Sequence, residues 1–203
     1  MARRSVRARA TEFQTREENG TPHISGYFAV FGEEYQIAPG MSESIDRHAF
    51  DNTLSGDVRA LVNHDTTLVL GRTKAGTLAL RVDEHGLWGD VAINPADGDA
   101  MNLYERVKRG DVDQCSFGFD ILREEEELRE GGAVHWTIRE VELYEVSACT
   151  FPAYETTNIS ARSADRDRLR QRERDAWKIR MRGLLKHGTE STAAETENRQ
   201  QKG

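Results

Sequence analysis

Short stretches in which apolar and polar residues alternate, or in which nearly every residue is apolar, follow one another through the middle of the chain. Period-two alternation is typical of a strand with one buried face, and aromatic and β-branched residues favour strands further. Glycine and proline separate several of these stretches, as they do in turns. The pattern therefore predicts strands at Gly26–Gly32, Val58–His64, Thr77–Asp83, Leu87–Ile93, Cys115–Arg123 and Val134–Thr150.

Helical spacing of apolar residues occurs in three places. The clearest is Pro95–Arg109, where Asp97 or Asp99 can cap the first turn and Gly110 can end the helix. A shorter amphipathic helix is predicted at Ser44–Leu54. After Arg162 the chain becomes rich in Arg, Asp and Glu, which favours a helix that is too polar to build its own core.

Several short strands with two embedded helices predict a mainly β fold, either a barrel or a sandwich. The change of composition along the chain divides it into three parts. We expect a flexible N-terminal segment at residues 1–19, a folded domain at residues 20–161 and a charged tail at residues 162–203 that passes from helix to disorder. Residues 124–132, a charged stretch between two strands, are predicted to form an exposed hairpin tip or a short helix.

Charge and composition narrow the possible functions. The formal net charge of the 203 residues is -7, which argues against a general nucleic-acid binder because phosphate neutralisation requires a basic surface. Two cysteines suggest a reducing compartment, and there is neither an apolar run long enough for a membrane span nor a secretory signal. We expect a cytoplasmic protein without a membrane partner.

Ser116 is the first candidate for chemistry. Strand alternation puts Cys115, Phe117 and Phe119 on one face, as core residues, and Ser116 with Gly118 on the other. A hydroxyl beside a residue without a side chain leaves open ground where a substrate backbone can approach. The alternative is an ordinary serine exposed to solvent.

His64 is the second candidate. It follows Val58, Ala60 and Val62 in parity, so it is predicted to end a buried strand face. A neutral imidazole there can take a proton from a serine hydroxyl, whereas the structural alternative is a hydrogen-bonded histidine at the margin of the core.

A carboxylate that orients the histidine is predicted in the last strand. Glu145 shares the parity of the apolar Val141 and Leu143, and a carboxylate in apolar surroundings must be paired or functional. A salt bridge to Arg59 or Arg123 is the alternative for Glu145. Glu142 and Asp65 remain weaker candidates for the same role, because Glu142 is expected on a polar, solvated face and Asp65, as the neighbour of His64, on the face opposite the histidine.

Taken in order, these segments resemble the prohead serine protease family of tailed bacteriophages. The resemblance extends from about Gly26 to Ala161. It rests on the aromatic first strand, residues 35–40, the segment around Phe50, residues 63–65, residues 70–73, Gly86 with Leu87, Gly110 before residues 116–119, residues 145–147 and residues 150–153.

The resemblance implies a fold similar to the herpesvirus assemblin proteases, a closed β-barrel ringed by helices. It also implies that Ser116 is the nucleophile and His64 the general base. Assemblins use a second histidine as the third catalytic residue. In this chain His135 and His187 are not at the matching strand, so Glu145 is the acid available for that role.

Members of the resembled family cleave scaffold protein, or the scaffold-like segment of the major capsid protein, and often themselves, inside the assembling prohead in the host cytoplasm. The resemblance therefore implies a serine endopeptidase with these protein partners and no cofactor. Whether the protein forms a homo-oligomer stays open. The arginine-rich tail fits a detachable docking segment, or a solvated tail without a role.

Three other classes compete with this interpretation. A non-catalytic assembly module would bind capsid protein and remain full length. A cysteine hydrolase would use Cys115 or Cys149, although strand parity buries Cys115, where a thiolate is disfavoured. A metal hydrolase is disfavoured because the histidines lack the spacing of metal ligands.

Overall fold

The computed structural model describes residues 13–151 and 165–180, together with the backbone of residues 4–8. Two compact units divide the chain, at residues 1–160 and 161–203. The strands of the first unit are β1 (Arg4–Ala8), β2 (Gln14–Glu18), β3 (Thr21–Val30), β4 (Tyr35–Ala38), β5 (Met41–Ile45), β6 (Arg59–Val62), β7 (Asp65–Arg72), β8 (Leu78–Val82), β9 (Gly86–Ala92), β10 (Gln114–Leu128) and β11 (Val134–Cys149).

Two sheets contain these strands. The larger sheet has the order β1-β10-β11-β5-β4, and the smaller has the order β2-β3-β9-β8. Strand β11 organises the larger sheet, because it pairs along its length with β10 on one side. On its other side it pairs in parallel with β5 near its start and with β6 near its end, and β7 continues the sheet from β6. The six strands predicted from the sequence are all present, although β3 begins and β10 ends five residues beyond the predicted bounds. The prediction that His64 ends a buried strand face is wrong, because β6 ends at Val62 and His64 lies in the turn that follows.

One hydrophobic core is shared by residues of both sheets and of the helix α1 (Gly98–Arg109). Its largest fully buried side chains include Phe28, Phe50, Phe117, Phe119 and Ile138. Burial of large apolar side chains such as these is a main source of the free energy that stabilises a fold. Among them are the predicted core positions of β10.

The helix α1 confirms the prediction for this segment. Asp97 accepts hydrogen bonds from the backbone nitrogens of Asp99 and Ala100, so it is Asp97 that caps the helix. Gly110 ends the helix at φ 86°, in the left-handed region that glycine enters without strain. The buried stripe contains Ala100, Leu103, Tyr104 and Val107, with Met101 partly buried beside it.

The helix predicted at Ser44–Leu54 is wrong. Strand β5 continues to Ile45, and residues 47–55 then form successive turns. The turns are closed by i to i+3 hydrogen bonds from the nitrogens of Ala49, Asp51 and Thr53. Ala49 and Phe50 are buried in these turns. Their spacing with the other apolar residues of the segment is that of a helix, which is why the sequence predicted a helix where the structure has turns.

The prediction of a closed barrel ringed by helices is also wrong. Barrel closure requires each edge strand to pair with another edge strand. In the described residues the two sheets keep separate edges, with β1 and β4 ending one path and β2 and β8 the other. The architecture is mainly β, with α1 as the single α-helix described in the first unit.

The two ends of the chain differ in how much the structure describes. Strands β1 and β2 lie within residues 1–19, where the sequence predicts a flexible segment. Residues 165–180 form a helix, as predicted for the start of the charged tail, and the predicted disorder beyond it lies outside the described residues. The stretch at residues 124–132 extends β10 to Leu128 and ends in a short 3₁₀ turn at Glu130–Gly132, close to the predicted hairpin tip.

Candidate active site

A two-residue hairpin turn carries His64. Val62 pairs with Asp65 across β6 and β7, which leaves Asn63 and His64 as the two turn residues. Their φ angles are 49° and 62°, so both lie in the left-handed region, as a type I′ turn requires. Asparagine is frequent there, whereas histidine at such an angle is uncommon and costs conformational energy. The fold therefore holds His64 in a backbone conformation that is energetically unfavourable for a histidine.

Residues of β11, and Thr150 directly after it, hold this turn by hydrogen bonds. The backbone nitrogen of Asn63 donates to the carbonyl oxygen of Ala148 at 3.0 Å, and the backbone nitrogen of Thr150 donates to Oδ1 of Asn63 at 2.9 Å. The backbone nitrogen of His64 donates to Oγ of Ser147 at 3.2 Å. These three bonds fix the position from which the His64 ring projects.

A β-bulge at Tyr144 determines where Glu145 points. Gly118 pairs with Glu145 but the next residue, Phe119, pairs with Leu143, so Tyr144 is an extra residue in β11. The extra residue reverses the parity of the strand. Val146 and Ala148 consequently join the core on one side of the bulge, as Val141 and Leu143 do on the other.

The predicted placement of Glu145 on the apolar face of Leu143 is therefore wrong, because it assumed unbroken alternation. Beyond the bulge, Glu145 and Ser147 lie on the sheet face opposite the core. This is the face of Ser116 and Gly118, their pairing partners in β10. Bulges are common beside active sites because they redirect a side chain in this way.

Glu145 joins His64 and Ser147 in one hydrogen-bonded group. Its Oε1 lies 2.5 Å from Nδ1 of His64, and its Oε2 accepts the hydroxyl proton of Ser147 at 2.6 Å. A carboxylate only accepts hydrogen bonds, so Nδ1 carries the shared proton and donates it. Glu145 is only 8% exposed, and these two bonds compensate for the burial of its charge.

The remaining ring nitrogen of His64, Nε2, is buried and has no hydrogen-bond partner within the part of the chain that the structure describes. Buried polar atoms are usually paired, and an unpaired one at a polar site calls for an explanation. With Nδ1 committed to Glu145, Nε2 is the nitrogen left to exchange a proton with a substrate or nucleophile.

The surroundings of His64 favour its protonated form. The neighbouring Cys149 sulfur and the hydrogen-bonded Glu145 carboxylate raise the pKa of His64 to about 10, against the opposing effect of burial. Nε2 of His64 makes no hydrogen bond to the Cys149 sulfur, so that neighbour is not a bonded partner of the ring. The raised pKa therefore rests on the short contact to Glu145.

Ser116 lies on the same face, next to this group. It pairs with Ser147 across β10 and β11, and directly opposed residues of an antiparallel pair have Cβ atoms about 5 Å apart. Its core-facing neighbours, Cys115 and Phe117, are completely buried, as the parity predicted. The prediction that Ser116 occupies open ground is wrong, because Ser116 itself is 0% exposed.

Gly118 provides the space that the Glu145 carboxylate occupies. A Cβ atom at Gly118 would overlap Oε1 of Glu145 and lie 3.0 Å from its Cγ and 3.1 Å from its Cδ. The glutamate is held by His64 and Ser147, so it cannot retreat without losing those bonds. The sequence predicted that Gly118 leaves space for a substrate, whereas in the structure it leaves space for the Glu145 carboxylate.

The other carboxylates considered from the sequence have other partners. Glu142 accepts a hydrogen bond from the Tyr144 hydroxyl, and Asp65 accepts from the backbone nitrogen and hydroxyl of Thr67. Arg59 pairs with Asp57, and Arg123 lies nearest Glu140, so the salt bridge considered for Glu145 is not the contact found. Of the three acids, Glu145 is the one bonded to His64.

The two cysteines are free and buried. Burial raises the pKa of the Cys115 thiol, which donates a hydrogen bond to the carbonyl oxygen of Tyr27. Cys149 lies two residues beyond Ser147 on the same face of β11. Its thiol donates a hydrogen bond to the carbonyl oxygen of Ser147, at 3.7 Å.

His135 lies far from this group. It is near the start of β11, about 30 Å along the strand from Glu145 at about 3.3 Å per residue. Its ring nitrogens are hydrogen-bonded to the hydroxyls of Ser42 and Ser44.

Within the described ranges, no three His, Cys, Asp or Glu side chains are grouped as metal ligands. None of the described helices combines the length and the hydropathy of a membrane-spanning segment.

Sequence reasoning missed the contributions of Asn63, Tyr144 and Ser147. An asparagine between two apolar strands was a signal for a tight hairpin turn. The parity switch from Val141 and Leu143 to Val146 and Ala148 was a signal for a bulge. Ser147 had no such signal, because its contacts arise only when β6 and β11 pair.

Comparison with known proteins identifies relatives among the tailed phages. The profile of the caudovirus prohead serine protease family matches residues 9–172. The prohead protease of Enterobacteria phage HK97 is 30% identical over 146 residues, which are 68% of this chain and 59% of the relative. The chain thus spans about three-fifths of the length of that curated relative.

A solved structure with some similarity is the capsid assembly protease of bacteriophage T4. The alignment covers 73% of this chain and 96% of the T4 chain, with 9% identity and a TM-score of 0.42.

Proposed function

Because the chain belongs to the caudovirus prohead serine protease family, we propose that it is a serine endopeptidase with Ser116 as nucleophile, His64 as general base and Glu145 as the acid that orients the base. The observation that carries this proposal is the 2.5 Å contact between Glu145 and Nδ1 of His64, on the sheet face that also carries Ser116. The unpaired Nε2 of His64 supplies the proton acceptor.

The reaction follows from these roles. Nε2 of neutral His64 takes the hydroxyl proton of Ser116 as Oγ forms a bond to the scissile carbonyl carbon. The imidazolium then gives this proton to the leaving amine as the carbon–nitrogen bond breaks, which leaves an acyl-enzyme. Water, deprotonated by the same nitrogen, hydrolyses the acyl-enzyme and restores the serine.

Glu145 has two tasks in this scheme. Its contact to Nδ1 holds the ring in the tautomer that leaves Nε2 as the acceptor, and its negative charge stabilises the imidazolium that forms. Ser147 and the turn at Asn63 position the two partners, since they fix the glutamate and the histidine backbone respectively. No cofactor takes part in this scheme.

The substrates that the family relationship suggests are proteins of the immature capsid. We propose that the enzyme cleaves the scaffold protein or the scaffold-like segment of the major capsid protein, inside the assembling prohead. Self-cleavage belongs to the same proposal. Support comes from the family and from the HK97 relative, which is itself a prohead protease.

The test is the co-expression of the protein with the major capsid protein of its phage and the analysis of both by mass spectrometry. We expect defined cleavage products with the natural sequence, and a loss of at least about a thousandfold in rate with Ser116→Ala. Ser55→Ala, at an exposed turn position, is the matched control and should retain full activity.

The same experiment distinguishes a protease from an assembly module. A non-catalytic module would leave both proteins full length, with and without Ser116. A thiol hydrolase would lose activity with Cys149→Ala and keep it with Ser116→Ala. Either of these two results would rule out the proposed function.

A further inference from the structure

Strand β1 lies along the strand that carries Ser116. It pairs antiparallel with β10 from Arg4 opposite Phe119 to Ala8 opposite Cys115, and Arg7 is opposite Ser116. Neighbouring strands lie about 4.8 Å apart. A segment from the start of this chain therefore runs in extended form directly beside the candidate nucleophile.

This position is the edge of the larger sheet. Strand β1 ends the order β1-β10-β11-β5-β4, so among the described strands β10 is its one neighbour within that sheet. The opposite side of β10 is occupied by β11, which also holds β5 and β6 and cannot leave without dismantling the sheet. If β1 leaves, it frees those backbone donors and acceptors of Cys115–Phe119 that face it, at the cost of five residue pairs.

A free sheet edge is a common binding site for extended polypeptides. The incoming chain adds a strand, and its backbone hydrogen bonds supply affinity for many sequences. An endopeptidase needs such an extended segment beside its nucleophile. Ser116 is 0% exposed in the described arrangement, so an external polypeptide reaches its hydroxyl only after a neighbouring segment moves.

We propose that β1 is an internal pseudosubstrate strand: a polypeptide substrate binds as an extended strand antiparallel to Cys115–Phe119, in the place of β1. Substrate binding and the pairing of β1 are then mutually exclusive. This inference rests on the proposed function and adds to it the binding mode of the substrate and an internal competitor. The apparent affinity for substrate is then the intrinsic affinity multiplied by the fraction of molecules in which β1 is unpaired.

The test compares the full chain with a variant that lacks residues 1–8 and with a double proline variant. Proline cannot donate a backbone hydrogen bond, and successive N–H groups of a strand point to opposite sides. Val6→Pro is therefore combined with Arg7→Pro, so that one donor to β10 is removed whichever side Val6 faces, while the segment is retained. Val6→Thr is the matched control, since it keeps the backbone donor and a β-branched side chain. Thermal melts followed by circular dichroism verify that each variant is folded.

Binding is measured in the Ser116→Ala background with a fluorescein-labelled peptide that has the sequence of residues 1–9. We expect the peptide to bind the shortened variant and the double proline variant at least about tenfold more tightly than the full chain or Val6→Thr. A peptide of the same composition in scrambled order measures the sequence-independent part of the affinity. Equal affinities for the full chain and for both folded β1 variants would overturn the inference.

Cleavage of fluorescein-labelled casein by the same variants with Ser116 intact provides the second measurement. We expect the shortened variant and the double proline variant to have a lower KM than the full chain, with kcat unchanged, and peptide 1–9 to inhibit the shortened variant competitively. Non-competitive inhibition, or an unchanged KM in both variants, would contradict the inference. Because the binding arm needs no catalysis, a protein that binds the peptide but cleaves nothing would refute the proposed function and leave the pseudosubstrate strand standing.

Discussion

The His64–Glu145 pair sets the protonation behaviour of the site at the scale of single residues. Glu145 is buried, is bonded through one oxygen to Nδ1 of His64 and through the other to Ser147, and lies against Gly118. A raised pKa means that the surroundings of the histidine favour its imidazolium form. Such a histidine must lose a proton before it can act as a base. The proposed mechanism therefore predicts that catalysis depends on pH through His64.

The first prediction concerns that dependence. The pKa of His64 is raised above its ordinary value, so the imidazolium is favoured at neutral pH and kcat/KM should rise with pH until His64 is neutral. In Glu145→Gln the carboxylate that favours the cation is gone, so the rise should move toward the ordinary pKa of histidine, near 6.5, while the maximal rate falls. Profiles of kcat/KM between pH 5 and pH 10 measure both changes. If the two profiles rise over the same pH range, Glu145 does not set the protonation of His64.

The second prediction concerns Gly118. Its substitution by alanine puts a methyl group in steric overlap with Oε1 of Glu145, which forces the carboxylate away from His64. We expect kcat/KM to fall by about a hundredfold or more, since small displacements of catalytic groups have effects of this size. Gly98→Ala is the control, because a Cβ atom there meets nothing within 4 Å. If Gly118→Ala retains full activity, the glutamate is not held as described.

At the scale of elements, a hairpin turn and a bulge bring the site together. The turn between β6 and β7 presents His64 over β11, and the bulge at Tyr144 turns Glu145 to meet it. Both depend on local backbone geometry that departs from regular strands. This explains why strand alternation predicted Cys115 and Phe117 correctly but put Glu145 on the wrong face.

The third prediction tests the turn. Asn63→Ala places an alanine at φ 49° and should destabilise the protein by about 1 kcal/mol more than Asn63→Gly does, because alanine is strained in the left-handed region and glycine is not. Both variants lose the hydrogen bond from Thr150, so their difference isolates the backbone cost. Urea unfolding followed by circular dichroism measures it. Equal stabilities of the two variants would mean that the turn relaxes to another conformation.

At the scale of the whole molecule, the sequence predicted where individual strands and the helix lie better than it predicted how the strands pair. The apolar alternation located the six strands, and the cap residues located α1. Closure into a barrel and the burial of Ser116 depend on which strands pair across long separations, such as β1 with β10 and β6 with β11. Such pairings leave no local signal, because they are decided by the packing of the shared core.

For the site, too, the sequence indicated the residues but not their arrangement in space. Ser116, His64 and Glu145 were identified as residue types with suitable chemistry. The contact of His64 with Glu145, and the sheet face that Glu145 shares with Ser116, follow from a turn at Asn63 and a bulge at Tyr144, which were not recognised. The division of the chain at residues 20 and 162 remains a prediction.

The most direct test of the central claim is to map the residue that reacts with a fluorophosphonate probe, which forms a covalent bond to an activated serine. We expect one phosphonylated residue, Ser116, on tryptic mass spectrometry, with labelling lost in Ser116→Ala and strongly slowed in His64→Ala. Ser147→Ala should still be labelled at Ser116. Labelling that falls on Ser147, Ser42 or Ser44, or that persists at the same rate without His64, would contradict the account.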